Sequence, residues 1–222
     1  MYSINLIKIS LDEFGEILIK AQLLPSQRTI LNNLTDNMQK LKNKGLKNLQ
    51  ELRTFLKKKE CYPSIAEDIG IDKEYLVILN RMVNSFIVKA SPLAELGIFT
   101  NEELKKLFTI EIKNTEQYYE TLMTAEQRES ISKKIHIPIS KMEYALHIID
   151  LFRINGVGVE YAKILYDMGI KSVTDYNKTP SETILKSFRE LNSTQKYTKA
   201  TLGISDIDYC RRFCEKLDCD IK

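Results

Sequence analysis

The stretch LFRINGVGVEYAKIL, residues 151–165, decides the expected fold. It predicts one helix that ends at about Phe152 and a second helix that starts at about Val159. Between them, Gly156 and Gly158 allow a tight turn, because glycine adopts backbone conformations that other residues avoid. The turn leaves peptide N–H groups exposed at the N-terminus of the second helix. A helix N-terminus carries partial positive charge and free donors, so this turn suits a phosphate oxygen.

Helical signals recur along the whole chain. Apolar residues step by three and four, which is typical of amphipathic helices with one buried stripe. Two such series are Ile139, Met142, Leu146, Ile149 and Phe152, and Tyr75, Leu79, Met82, Val83 and Phe86. Capping boxes, which satisfy backbone N–H groups at a helix start, are also frequent. We predict them at Ser10/Glu13, Thr100/Glu103, Thr124/Gln127, Ser140/Glu143 and Thr179/Glu182. The sequence therefore predicts an all-α fold of short helices.

An internal repeat organises these helices. The segments GLKNLQEL, EIKNTEQY and GIKSVTDY start at Gly45, Glu111 and Gly169. Gly45 and Gly169 fit a helix C-terminus, where a left-handed residue ends the helix at little steric cost. Glu111 does not follow this rule, so either the middle helix ends differently or the alignment slips there.

A second repeated feature follows each segment, at Gly70, His136 and Gly203. The distances from the first feature are 25, 25 and 34 residues. We therefore predict three short units that share a core by stacking. The predicted units are residues 1–90, residues 91–150 and residues 151–222.

Composition limits the class of protein. The 222 residues are 43% hydrophobic and 28% charged, which is typical of a soluble globular chain and excludes a disordered one. No apolar run approaches the ~20 residues that a membrane helix needs. The N-terminal residues lack the features of a signal peptide, and four cysteines without regular spacing fit a reduced chain. We predict a cytoplasmic protein with no membrane partner.

Basic residues concentrate near the N-terminus, although the net charge is only +3. Residues 20–60 hold ten Lys or Arg, Lys57 and Lys58 among them, and three acids. Such a basic stretch is the electrostatic footprint that a polyanion favours. It is equally typical of a solvated, lysine-rich helix face.

The turn at residues 151–165 resembles the helix-hairpin-helix family, whose pattern is apolar-x-Gly-apolar-Gly-x-x-x-Ala. In that family the hairpin grips the nucleic-acid backbone without reading bases. The resemblance implies Gly156, Val157 and Gly158 as backbone donors to phosphate. It also implies Lys163, one turn into the second helix, as a supporting cation.

Three residues depart from the family pattern. Asn155 stands where proline is frequent, and Val159 where proline or a small polar residue is common. Glu160 places a carboxylate beside the expected phosphate, where it would repel a polyanion. Both a phosphate contact and a purely structural turn therefore remain open at this point.

The other two units contain degenerate hairpins. In unit one, Leu23–Leu31 lacks glycine, but Arg28 could still contact a phosphate. In unit two, Leu93–Ile98 has only Gly97. Residues 10–218 are also similar to an uncharacterised family of small bacterial proteins, grouped as a domain of unknown function. This resemblance implies three tandem helix-hairpin-helix or SAM-like bundle units and DNA binding, but no reaction.

No other motif points to chemistry. Gly156-Val157-Gly158 begins like a dinucleotide fingerprint, but Tyr161 replaces the third glycine and no strand precedes it. Cys210, Cys214 and Cys219 lack the spacing of a structural zinc site, and the first two lie on an apolar stripe. We therefore predict no metal site, no cofactor and no enzymatic activity.

The sequence predicts a non-enzymatic protein that binds DNA without sequence preference. The predicted contact residues are Gly156, Val157, Gly158, Lys163, Arg28, Lys57 and Lys58. The alternative is a protein-interaction scaffold in which the same helical units are purely structural.

Overall fold

The computed structural model of the chain describes residues 1–21, 23–195, 198–199, 201–218 and 221. These residues form thirteen α-helices and four 3-10 helices, and none of them lies in a β-strand. This confirms the all-α prediction. None of the described helices is both long and apolar enough to cross a bilayer. The chain divides into two compact units.

The small unit comprises Asn5–Ile87. It contains α1 (Leu11–Lys20), α2 (Leu34–Asn43), α3 (Leu49–Phe55), α4 (Tyr62–Ile69) and α5 (Lys73–Asn84). Its 3-10 helices are Leu6–Lys8, Pro25–Leu31 and Lys59–Cys61. Its core is apolar and includes Phe14 and Phe86, whose rings meet edge to face at 5.7 Å. The degenerate hairpin predicted at Leu23–Leu31 is this second 3-10 helix rather than a pair of α-helices.

The large unit comprises Met1–Ile4 together with Val88–Lys222. It begins with the 3-10 helix Leu93–Leu96. Its α-helices are α6 (Asn101–Thr109), α7 (Thr115–Thr121), α8 (Ala125–Ile135), α9 (Ile139–Phe152), α10 (Val159–Asp167), α11 (Val173–Lys178), α12 (Ser181–Gln195) and α13 (Ile204–Cys214). The predicted units two and three thus share one compact unit.

The first repeated feature forms the same helix end three times. Gly45, Glu111 and Gly169 all have positive φ, at 90°, 62° and 86°. In each case the next residue donates its N–H to a carbonyl five residues earlier, which is the Schellman arrangement. The alignment therefore does not slip at Glu111. The middle helix ends as the other two do, although its terminal residue is not glycine.

The helix that follows each of these turns also starts in the same way. Its N-cap side chain accepts a hydrogen bond from the N–H three residues later, which satisfies an orphan donor. The three N-caps are Asn48, Asn114 and Ser172. The preceding lysine donates its N–H to a side chain four residues later. These pairs are Lys47–Glu51, Lys113–Gln117 and Lys171–Asp175.

The second repeated feature is the same in only two places. Gly70 and His136 end α4 and α8 with φ of 63° and 53°. Gly203 instead has φ of −116° and is the N-cap of α13. The equivalence predicted for Gly203 was wrong, because this residue begins a helix and does not end one.

Most predicted helix starts are confirmed. Ser10, Thr100 and Thr124 each accept a hydrogen bond from the N–H three residues on. The capping boxes predicted at Ser140 and Thr179 were wrong, although α9 and α12 start close by, at Ile139 and Ser181. Ser140 lies inside α9, whose N-cap is a proline, and the Thr179 hydroxyl donates to a carbonyl of α11.

A buried ion pair lies in the large unit at the end of α9. Arg153 and Asp150 are 0% and 2% exposed, and Arg153 Nη1 lies 2.6 Å from Asp150 Oδ1. Asp150 Oδ2 accepts the N–H of Val173 at 2.8 Å. The guanidinium also lies 4.2 Å above the ring centroid of Tyr119 and donates to its hydroxyl. Arg153 further donates to the backbone carbonyls of Met1, Tyr2 and Asp218. This arginine therefore holds three distant segments of the chain together.

Candidate nucleic-acid interface

The hairpin of α9 and α10 has the predicted bounds. α9 ends at Phe152 and α10 starts at Val159. Gly156 has φ of 95°, a conformation that strains other residues. A Cβ at Gly156 would lie only 2.8 Å from Cys210 Sγ. Both the backbone conformation and the close approach of α13 therefore require glycine at position 156.

The turn uses one of the predicted donors itself. The N–H of Val157 donates to the carbonyl of Ile154 at 2.9 Å, and the Val157 side chain is buried. The N–H of Val157, which the resemblance assigns to a phosphate, is therefore already bonded within the turn. The hydrogen bond from Val157 to Ile154 closes the turn, and the sequence alone did not reveal this use of the N–H.

The start of α10 is open. Gly158 is the N-cap, with φ of −82° and ψ of 170°, and no side chain caps the helix there. Among the described residues, and apart from its immediate chain neighbours, nothing lies within 4 Å of the position that a Cβ at Gly158 would take. The first N–H groups of α10 thus lack an intrahelical acceptor, as at any helix start.

Lys163 and Glu160 form an ion pair on α10. Their Nζ and Oε1 atoms are 3.0 Å apart, and the side chains are 23% and 67% exposed. Lys163 Nζ also lies 3.8 Å from the position of a Cβ at Gly97. An approaching phosphate would therefore compete with Glu160 for Lys163.

The cysteines beside the turn are buried. Cys210 and Cys214 lie in the core of the large unit. Burial raises the pKa of the Cys210 thiol to about 11, so the thiol is neutral near pH 7. Cys219 lies outside the described residues. Within those residues, no group of three His, Cys, Asp or Glu side chains is placed to hold a metal ion.

An apolar cavity of about 580 Å³ adjoins α10. Tyr161, Ile164, Phe188 and Leu202 contribute apolar walls, and two acidic residues, Glu95 and Glu160, also line it. Burial raises the pKa of the Tyr161 hydroxyl above its ordinary value. The cavity was not foreseen from the sequence, because its walls come from helices far apart along the chain.

Many lysines of the basic stretch are neutralised by nearby carboxylates. These ion pairs are Lys20–Glu16, Lys40–Asp36, Lys42–Asp12 and Lys44–Asp68. The predicted contact residues Arg28, Lys57 and Lys58 are exposed. Arg28 lies on the 3-10 helix Pro25–Leu31, whereas Lys57 and Lys58 follow α3.

Sequence reasoning missed the residues that accompany Lys57. A pocket of about 270 Å³ between α3 and α5 is lined by Gln50, Arg53, Thr54, Lys57, Asn80 and Asn84. The available signal was the spacing of Gln50, Arg53 and Thr54, which places them on one face of α3, with Lys57 just after the end of that helix. Gly156, Gly158 and Lys163 belong to the large unit, and this pocket belongs to the small unit.

The structure defines an all-α protein of short, capped helices with a recurrent glycine-type turn. Its candidate sites contain exposed donors and cations. The chain belongs to the family described as Domain of unknown function (DUF4332), whose model matches residues 96–216. The matched residues lie in the large unit and include the α9–α10 hairpin. No curated protein and no solved structure matches the chain.

Proposed function

We propose that the protein binds the phosphate backbone of DNA without sequence preference, through the α9–α10 hairpin acting as a helix-hairpin-helix element. The observation that carries this proposal is the uncapped start of α10 at the open Gly158 turn, one helical turn before Lys163. In this proposal the protein is not an enzyme, and it acts in the cytoplasm of a bacterium.

The chemistry of the hairpin fits a phosphate rather than a base. The N-terminus of a helix carries roughly half a positive charge and unsatisfied N–H donors. Contacts from backbone amides to phosphate oxygens position a protein on DNA but carry no sequence information. Lys163 adds a cation once a phosphate displaces Glu160 from their ion pair. Glu160 therefore limits the affinity.

Two substitutions test this proposal in opposite directions. Lys163→Gln and Glu160→Gln break the same ion pair, so any effect of that pair on folding is shared. We expect Lys163→Gln to weaken DNA binding and to reduce the salt slope by about one. We expect Glu160→Gln to strengthen binding, because it removes a repulsive carboxylate.

Fluorescence anisotropy with a labelled duplex, at about 50 and about 200 mM salt, measures both changes. The control is Glu190→Gln, which removes the same charge from an exposed ion pair with Lys186 on α12. Equal effects of Glu160→Gln and Glu190→Gln would mean that only net charge matters. Shifts of the same sign in Lys163→Gln and Glu160→Gln would contradict a phosphate contact at the hairpin.

A protein-interaction scaffold is the second candidate, and the apolar cavity beside α10 favours it. A cavity of this size with mostly apolar walls can take a side chain of a partner. In that case the wild-type protein binds no DNA at low salt. Crosslinking to a partner in cells would then be lost in Leu202→Asp and kept in Lys163→Gln.

A further inference from the structure

The pocket between α3 and α5 in the small unit has an unusual lining. It is open to solvent and encloses about 270 Å³. Its walls carry two cations, three amides and one hydroxyl, and none of the six lining residues is acidic. At about 30 Å³ for each water molecule, the pocket has room for a phosphate group with several waters.

A chain of amides orients the arginine of this pocket. Asn84 Nδ2 donates to the carbonyl and to Oδ1 of Asn80, at 2.8 and 2.9 Å. The Asn84 Oδ1 atom then accepts from Arg53 Nε at 3.4 Å. Among the described residues, no acceptor takes a hydrogen bond from either Nη atom of Arg53. The outer edge of the guanidinium is therefore available to a ligand.

The two cations of the pocket differ from several lysines of the same unit. Lys40, Lys42 and Lys44 each lie within 2.6–2.8 Å of a carboxylate. Within the described part of the chain, no carboxylate lies at ion-pair distance from Arg53 or Lys57.

The acid closest along α3 does not fill the pocket. The Glu51 carboxylate accepts from the backbone N–H of Lys47 at 2.7 Å and from Asn48 Nδ2 at 3.1 Å. It is thus committed to the start of the helix, and the charge of the pocket stays positive.

We propose that this pocket is an oxyanion site that takes a phosphate group. Arg53 binds it through the edge of its guanidinium, a geometry that matches two phosphate oxygens. Lys57 adds a second positive charge, and Asn84 positions Arg53. The site lies in the small unit and does not depend on the α9–α10 hairpin. The phosphate can belong to a nucleic-acid backbone or to a free phosphate compound.

NMR on the full chain tests the site, read at the Arg53 Nε–H and Asn84 side-chain amide signals. Three probes are titrated at low salt: inorganic phosphate, a 5′-mononucleotide and a short single-stranded oligonucleotide. We expect both signals to shift with saturation. A shift with all three probes indicates a site for free phosphate compounds, and a shift with the oligonucleotide at far lower concentration indicates a backbone site.

Matched variants assign the effect to the pocket. Arg53→Lys keeps the charge and loses the planar fork, and we expect about tenfold weaker binding. Lys57→Gln should also weaken binding. Lys73→Gln removes the same charge from an exposed lysine at the start of α5 that does not line the pocket, and it should leave binding unchanged.

Equal losses in Lys57→Gln and Lys73→Gln would overturn the proposal, because they would show diffuse attraction. Absence of any shift at Arg53 with all three probes would also overturn it. Lys163→Gln should not alter the Arg53 signal, so failure of this site and failure of the hairpin proposal are distinguishable.

Discussion

The α9–α10 hairpin and the α3–α5 pocket present donors in opposite ways. The hairpin offers backbone amides, and its cation Lys163 is paired with Glu160. The pocket offers side chains, and Arg53 and Lys57 line it without an acidic neighbour. The geometry of the backbone site depends on the Gly156 turn and on the buried Cys210 side chain that packs against it. Binding by the side-chain site depends on whether its cations are paired with carboxylates. Substitutions at the hairpin should therefore change stability, and substitutions at the pocket should change binding alone.

The largest expected effect is at Arg153, which directly follows α9. Arg153→Met leaves Asp150 buried without its cation, and such losses cost about 3–5 kcal/mol. Urea unfolding followed by circular dichroism measures the free energy. The control Arg53→Met removes a half-buried arginine from the pocket and should cost less than about 1 kcal/mol. Similar losses of unfolding free energy in the two variants would contradict the expectation that only substitutions at the hairpin change stability.

Gly156→Ala is the next largest change. Its positive φ costs roughly 1–2 kcal/mol for a residue with a Cβ, and the contact with Cys210 adds roughly 1–3 kcal/mol of overpacking. The same unfolding measurement applies. Gly158→Ala is the matched control, because its φ is ordinary and its surroundings are empty. We expect that control to lose no more than about 1 kcal/mol. A comparable loss in both variants would show that Gly156 is not constrained by α13.

Cys210, which packs under the Gly156 turn, should make stability depend on pH. Burial raises its pKa from 9.0 to about 11 in the folded protein. Between these values the unfolded thiol loses its proton while the folded thiol keeps it. Stability therefore falls as pH rises through this window, by an amount on the order of 2 kcal/mol.

The unfolding free energies of wild type and Cys210→Ala, at pH 8 and at pH 10.5, isolate this contribution from that of the tyrosines. The decrease from pH 8 to pH 10.5 should be smaller in the variant. An identical decrease in both proteins would mean that Cys210 does not titrate as its burial requires.

The smallest expected effect on stability is at Gly158. Gly158→Asp places a good N-cap on α10 and should stabilise the protein by a few tenths of a kcal/mol. The new carboxylate occupies the amides that a phosphate would use, so DNA affinity should fall. Anisotropy and unfolding are measured on the same samples, with Gly158→Ala as the control. If the Gly158→Asp variant is stabilised and its DNA affinity is unchanged, the α10 amides do not contribute to DNA binding.

Much of the local structure could be predicted from the sequence. The bounds of α9 and α10 and the left-handed Gly45 and Gly169 follow from glycine conformation and apolar spacing. Glu111 shows why such rules are incomplete. It adopts the same turn because the Schellman hydrogen bonds and the N-cap Asn114 on either side enforce it. Neighbouring interactions can therefore replace the glycine that the rule expects.

The candidate sites were predicted less completely. Lys57 was identified as a contact residue from local charge, but Arg53 was not, because its orientation depends on Asn84 of another helix. Val157 was assigned a free N–H that the turn consumes. Arg153 gave no signal of burial, since an arginine in a turn is ordinarily solvated.

The sequence by itself determined the helical class, the glycine turns and most helix starts, since caps and turns act within a few residues along the chain. Only the tertiary structure decided the pairings between residues that are far apart along the chain. Lys42 meets Asp12 and Arg53 meets Asn84 across about thirty residues of chain. Arg153 reaches the carbonyl of Tyr2 across 151 residues. Partners this distant are set by packing, so periodicity and local composition carry no information about them.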